Sequence, residues 1–236
     1  MHTYGQDAAT HYAAYRPPLH RPILARALVH QNFKRALDFG CGTGQSSLAL
    51  VSFADEIIGV DKSAEMLAAA TKYPVIEYRL GAEDELPVQG CSIDLVTMAG
   101  VLPYLEIGAF LSELRRACTP KATLIVYDFK LRLMPLLTLF PKVSTFKSSK
   151  YEHSKNLDGQ SGISTIEQCR DVIEFDIQSG QAAHLILANE ARLKKLESLP
   201  NPEADVFAFV ERSLQANGFS GKLEAEIYWA VHRFVE

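Results

Sequence analysis

The 236-residue chain has little of what would place it in a specialised class. Its four cysteines, Cys41, Cys91, Cys118 and Cys169, stand far apart and form no C-x-x-C pair. That argues against a zinc site and a disulfide framework and fits a reduced compartment. No run approaches the roughly 18 apolar residues of a membrane span. The N-terminal stretch MHTYGQDAATHYAAYRPP lacks an apolar signal core, so the expectation is a cytoplasmic chain with no membrane partner. Positive charge is not in excess either: 24 Lys and Arg face 28 Asp and Glu, a formal net charge of −4, which argues against a nucleic-acid partner. Internal repeats and low-complexity tracts are absent. What remains is an ordinary globular composition, 47% hydrophobic, enough to bury the core of one α/β domain with a modest insertion.

Residues 35–129 alternate between short apolar runs and helical spacing. RALDF, EIIGVD, VIEYRL, SIDLVTMA and ATLIVYDF read as strands. Between them QSSLALVSF, with a hydroxyl at its cap, and AEMLAAATKY, capped by Ser63, read as helices. IGAFLSELRRAC does too, with Ile107, Phe110, Leu111 and Leu114 on one face. Strands separated by helices of this length imply right-handed crossovers and a parallel sheet. After Phe129 the rhythm changes: two prolines and a serine-rich polar run predict a helical or irregular insertion with a loop. RDVIEFDI is a candidate sixth strand, and QAAHLILANEARLKKLES reads as one amphipathic helix. PEADVFAFVERSLQANG reads as another helix, started near Pro202 and stopped by Gly218, and LEAEIYWAVHRFV as a final strand.

The first strand delivers a glycine-rich turn, Gly40, Gly42 and Gly44, and then a helix. That arrangement puts backbone N–H groups at the carboxyl edge of the sheet, where open α/β folds bind ligands. Glycines there remove Cβ atoms that would hold a ligand away. The spacing is G-x-G-x-G, not the G-x-G-x-x-G of dinucleotide sites, and Asp38 precedes it. A carboxylate in that crevice suits a cofactor with an ammonium group better than a pyrophosphate. Asp61, at the end of the second strand, stands where an acid would accept from ribose hydroxyls; the other reading makes it a cap for the next helix.

LDFGCGTGQSS, IIGVDKSAEML, GAEDELPV and DLVTMAGVLPYL resemble, in order and interval over residues 35–129, the successive motifs of the class I S-adenosylmethionine-dependent methyltransferases. YAAYRPPLHRPILARAL resembles the N-terminal segment of the trans-aconitate-type small-molecule members of that superfamily, and AEIYWAVHRF their antiparallel last strand. The resemblance implies a Rossmann-like, doubly wound, mostly parallel seven-stranded sheet with an antiparallel last strand and a helical or loop insertion after strand five. It implies one domain over 1–236: N-terminal lid helices (1–34), a cofactor-binding core (35–129), an insertion roofing the substrate (130–170), and C-terminal helices and strands (171–236). It also implies S-adenosyl-L-methionine as cofactor, a small-molecule acceptor methylated on a carboxylate or hydroxyl oxygen, no metal, and a monomer or homodimer.

The same resemblance assigns roles. Gly40, Gly42 and Gly44 line the methionine moiety and ribose, Asp38 favours the amino group, and Asp61 accepts from the ribose. Lys62 and Met66 flank the adenine, although Met66 suits a helix core equally. Ala82 and Glu83 meet the adenine edge, with Asp84 or Glu85 as substitutes for Glu83. Ala99 and Gly100 lie beside the sulfonium, and Tyr12, Tyr15 and Arg16 belong to the N-terminal lid unless the tyrosines merely pack that helix. Relatives often carry His or Trp after strand four; here the run is GVLPYL, so an imidazole base is absent from that spot. The turn into strand five is PKA in place of their Pro-Gly-Gly. A carboxylate acceptor needs no base; for other acceptors Tyr104, Glu106 and His184 are the candidates. His153 falls in the polar insertion, and His11, His20 and His30 read as surface residues. Two readings stand beside methyl transfer: a cofactor-binding module without turnover, and a nicotinamide oxidoreductase, which Asp38 and the glycine spacing disfavour.

Overall fold

The apolar runs of residues 33–126 pair side by side. In the computed structural model, which describes residues 6–29, 31–140, 151–198 and 205–235, the strands are β1 (Phe33–Phe39), β2 (Ala54–Asp61), β3 (Ile76–Leu80), β4 (Ile93–Ala99), β5 (Cys118–Leu131), β6 (Ile163–Asp176) and β7 (Lys222–Phe234). They form one sheet in the order β3-β2-β1-β4-β5-β7-β6, with β7 antiparallel. The pairs β3-β2, β2-β1, β1-β4 and β4-β5 are parallel. The expected doubly wound sheet with an antiparallel last strand is therefore present. Strand order reverses direction at β1, which puts a topological switch point between β1 and β4.

The helices are α1 (Gln6–Ala14), α2 (His20–Ala27), α3 (Gln45–Leu50), α4 (Ala64–Ala68), α5 (Ile107–Ala117), α6 (Met134–Leu137), α7 (Ser179–Leu187), α8 (Glu190–Glu197) and α9 (Val206–Ala216). Several differ from the sequence expectation for local reasons. The helix read over QSSLALVSF stops at Leu50, and its cap is Gly44, not a hydroxyl residue. Ser46 and Ser47 instead turn inward to a buried carboxylate. Ser63 does cap α4, accepting from the Met66 N–H at 3.2 Å, but that helix ends after five residues. The single helix read over residues 181–198 is two, because the Asn189 side chain caps a new start by accepting from the Arg192 N–H at 3.0 Å. α9 begins under an Asp205 cap and Gly218 follows it at φ +69°, whereas Pro202 lies outside the described residues. The polar insertion is strand from Ile163 onward, and the Pro-Lys-Ala turn lies within β5.

The chain divides into two compact units. The larger holds the described residues of 18–129, 151–171 and 227–236, the smaller those of 1–17, 130–150 and 172–226; β5, β6 and β7 contribute residues to both. In the larger unit α5 buries Phe110, Leu111, Leu114 and Ala117 against the sheet, and the Phe110 ring lies 4.5 Å from that of Phe39. Burying four such side chains contributes on the order of several kcal/mol. In the smaller unit α7 packs with α1 and α9 around Ala182, Ile186, Val210 and Leu214. Among the described residues no helix is long and apolar enough to cross a membrane.

Within the larger unit, residues 157–165 are tied to β7 by a buried histidine. The Thr165 hydroxyl donates to Asp158 at 2.9 Å, so its oxygen accepts from His232 Nδ1–H at 3.1 Å. His232 Nε2 then accepts from the Leu157 N–H at 3.4 Å. This network needs the neutral ring, and burial pushes the His232 pKa down to about 4. The unfolded chain takes up that proton near pH 6.5 and the folded chain does not, so stability is full above about pH 6.5 and falls as pH drops toward 4. The expected slope from this group is about 1.4 kcal/mol per pH unit in that window. Denaturant melts of wild type and His232→Gln across the window check it: the variant is less stable at neutral pH and loses this part of the acid slope.

Candidate active site

The carboxyl ends of β1 to β5 lie in one row. Asp38 pairs in register with Gly59 and Thr97, Asp61 with Leu80, and Ala99 with Tyr127. The turn after β1 is anchored by two bonds to one oxygen, the Gly40 and Cys41 N–H groups both donating to the Val60 carbonyl. The Gly42 N–H donates to Asp61 Oδ2 at 2.8 Å, and Asp61 Oδ1 accepts from the Ser63 N–H at 2.9 Å. Asp61 thus links the two loops at the mouth of the crevice; the helix cap itself is Ser63.

The three glycines do different jobs. A Cβ on Gly40 would stand 2.7 Å from Val101 Cγ2, and one on Gly44 2.1 Å from the Tyr78 hydroxyl. Those two glycines admit neighbouring side chains. Gly42, at φ +54°, has no atom within 4 Å of where a Cβ would be, so it alone presents bare backbone to open space.

Asp38 corrects the expectation of a carboxylate pointing into the crevice. It is wholly buried, with Oδ2 accepting from the Ser46 and Ser47 hydroxyls at 2.6 Å each and Oδ1 from Thr97 at 3.0 Å. Burial raises its pKa, the three hydroxyl bonds oppose that, and the Asp61 charge adds to it. No cation is among the partners of Asp38 or Asp61 in the described residues.

The other expected residues fall in two groups. The Gly81 N–H donates to the Asp61 carbonyl, so Ala82 and Glu83, both half-buried, follow the end of β3 beside Asp61. Lys62 and Met66 are exposed, Met66 at 47%, which excludes the helix-core reading of Met66. Ala99 ends β4 and Gly100 follows it; the Gly100 N–H, at φ +62°, donates to the Tyr127 carbonyl at 2.9 Å. Tyr104 is exposed and its ring lies 5.8 Å from that of Tyr151, while Glu106 is an exposed N-cap residue of α5. Tyr12, Tyr15, Arg16 and His184 belong to the smaller unit. There the Arg16 guanidinium lies 4.1 Å from the centre of the Tyr12 ring, and burial raises the Tyr15 pKa. His184 Nδ1 is 2.9 Å from His11 Nδ1, and burial, then the His11 charge, push its pKa down. His20, expected at the surface, is half-buried, Nδ1 3.0 Å from the Tyr127 hydroxyl; His30 lies outside the described residues.

One arrangement has no signal in the sequence. Asp128, on β5, takes His153 Nδ1 at 2.9 Å, and Asp128 Oδ1 accepts from the Phe129 N–H at 2.7 Å. The two partners are 25 residues apart, and no spacing rule connects them. Among the described residues no cluster of three or more His, Cys, Asp or Glu is arranged to hold a metal ion.

Residues 37–126 match the profile described as "Methyltransferase domain". The segment is a class I S-adenosylmethionine-dependent methyltransferase domain. A Dictyostelium discoideum protein named as a methyltransferase is 28% identical over 122 residues, 51% of this chain and 46% of its own length. The demethylmenaquinone methyltransferase of Clavibacter sepedonicus is 28% identical over 124 residues, 50% of this chain and 51% of that protein. The chain spans about half the length of these curated relatives. A solved structure named as a type II methyltransferase of Anaeromyxobacter dehalogenans shares the fold at TM-score 0.62 and 19% identity, over 93% of this chain and 97% of that one.

The cofactor of the methyltransferase domain is S-adenosyl-L-methionine, and the residues present suit it. Gly42 is a stretch of backbone open to a ligand, and the two carboxyl groups Asp38 and Asp61 have no cationic partner among the described residues, which suits a ligand bearing ammonium and sulfonium charge. The unlike surroundings of the glycines separate two variants. Gly42→Ala costs about 1–2 kcal/mol from its left-handed backbone, stays folded, and loses stabilisation by S-adenosylhomocysteine. Gly44→Ala carries the same backbone strain and must also displace Tyr78, whose hydroxyl donates to the Thr71 carbonyl at 3.0 Å. Thermal melts should rank Gly44→Ala below Gly42→Ala; equal stability would mean that Tyr78 moves aside at no cost.

Proposed function

We propose that the chain transfers a methyl group from S-adenosyl-L-methionine to an oxygen, carboxylate or hydroxyl, of a small-molecule acceptor. The observation that carries this reading is the open backbone at Gly42 held against Asp61, at the switch point of a methyltransferase domain. The absence of any excess of positive charge and the resemblance of residues 12–28 to small-molecule members support the acceptor class.

In this reading Gly42 lies against the cofactor with its backbone, Gly40 and Gly44 shape the turn that lines it, and Asp61 accepts from the ribose while holding Gly42 in place. Lys62 and Met66 flank the adenine, and Ala82 and Glu83 meet its edge. Asp38 acts from beneath the loop: its charge favours the cofactor's amino group without touching it, and its hydroxyl bonds fix the start of α3. Ala99 and Gly100 supply backbone beside the reacting carbon. The bound cofactor supplies a methyl carbon already activated by a positively charged sulfur. The protein's own contribution is alignment and exclusion of water, which together supply on the order of 7–11 kcal/mol of a barrier.

A thermal-shift titration tests the reading. S-adenosylhomocysteine at about a hundred times its Kd should add about 2.7 kcal/mol to the stability of the wild type, and NAD nothing. Asp61→Ala lowers the starting melting temperature, because the Gly42 and Ser63 N–H groups lose their acceptor, and it also shrinks the ligand-induced shift. Absence of a shift with S-adenosylhomocysteine, or an equal shift with NAD, sinks the proposal.

A further inference from the structure

The polar insertion brings back the imidazole that the loop after β4 lacks. All of its relevant contacts lie within the larger unit. His153 Nδ1 faces Asp128 Oδ2 at 2.9 Å. An ionised carboxylate only accepts, so Nδ1 carries the proton and Nε2 presents a lone pair. The Phe129 N–H fixes the other carboxylate oxygen, so Asp128 holds the imidazole in that tautomer. His153 is half-buried, with 26% of its side chain exposed, so a ligand can reach it. No bond to Nε2 occurs among the described residues.

The pair stands next to the end of β4. A Cβ on Gly100 would meet Asp128 Oδ1 at 3.3 Å, and the Tyr151 hydroxyl donates to the Gly100 carbonyl at 2.7 Å. The Tyr151 ring lies 4.7 Å from His153, and the Tyr228 ring stacks on it at 6.3 Å and 16°. His153 also lines a cavity of about 250 Å³ with Tyr228, Trp229, Arg170 and Lys155. A smaller cavity than this holds benzene. The walls mix the rings of Tyr228 and Trp229 with polar Ser154, Asn156 and Gln168 and the cations Lys155 and Arg170, a lining that can flank a planar ring and face the charge of its oxygen.

We propose that His153, positioned by Asp128, is the general base of the transfer and that the acceptor is a small phenol. This rests on the methyl-transfer reading and narrows its acceptor from any oxygen to an aromatic hydroxyl. In the step the acceptor's O–H proton passes to His153 Nε2, and its oxygen takes the methyl group from the sulfonium donor. The carbon–sulfur bonding pair stays on sulfur, leaving a neutral thioether, and Asp128 stabilises the imidazolium. Such a base contributes about a hundredfold or more to the rate.

4-Nitrophenol reports its own ionisation by absorbance and serves as the probe. It is titrated into wild type, His153→Gln and Asp128→Asn, each with S-adenosylhomocysteine, at a pH below the probe's own pKa. The expected result is a phenolate band on binding to wild type, lost in His153→Gln and reduced in Asp128→Asn, while S-adenosylhomocysteine still raises all three melting temperatures. In wild type alone, nitrogen NMR of the His153 ring should move to imidazolium values as the band appears, a check that survives a variant that does not fold. Failure of the probe to bind, binding without ionisation, or an unchanged band in His153→Gln overturns the base and leaves the methyl-transfer reading standing. Failure of S-adenosylhomocysteine to bind overturns that reading and this one with it.

Discussion

The glycine turn depends on one buried carboxylate. Asp38 is wholly buried on β1, and a carboxyl group there is tolerable only because three hydroxyls reach it, two from the first turn of α3 and one from β4. The same three bonds fix where α3 starts and hold it against the β1-β4 seam. Ser46 and Ser47 therefore cannot serve as caps, and Gly44 takes the cap position in the left-handed conformation. The three bonds are in place before any ligand arrives and need no reorganisation when one does.

The strain of the loop is divided among its glycines. Gly40 and Gly44 yield space to Val101 and Tyr78, side chains that belong to the walls of the crevice. Gly42 yields space to no side chain among the described residues. A sequence pattern weights the three alike, but their surroundings do not. Packing and backbone explain two of them; at Gly42 the left-handed backbone calls for glycine and the open space leaves room for a ligand. The case for a cofactor is thus narrower than the motif suggests, and firmer, because the remaining glycine is the one that touches Asp61.

How much of the molecule is legible in the sequence follows from how local each signal is. β1, β2, β4 and the buried face of α5 are readable because apolar periodicity over five to eleven residues decides them. Asp38, Asp61 and the glycines are readable because they sit at strand ends. The start of α3 is not, since contacts set it: Ser46 and Ser47 answer to Asp38. The break between α7 and α8 hangs on one Asn189 side chain inside a continuous apolar pattern. The inward aim of Asp38 escapes a sequence reading because burial cannot be seen from alternation when β1 is covered on both faces.

The two ends of the reaction centre differ in the same way. In the proposed reading the cofactor end is built from turns that directly follow β1, β2, β3 and β4, so chain order writes it into consecutive motifs. The acceptor end, if the substrate is a phenol, is built from Asp128 at the close of β5, from His153 in an insertion, and from Tyr228 on the last strand. These residues meet only because β7 inserts beside β5, and the buried His232 fastens residues 157–165 to β7. The anchoring imidazole on β7 and the base in the insertion make opposite demands on that ring. His232 must stay neutral to hold its place, whereas His153 must be free to take a proton. Burial without a carboxylate partner meets the first demand, and partial exposure beside Asp128 meets the second.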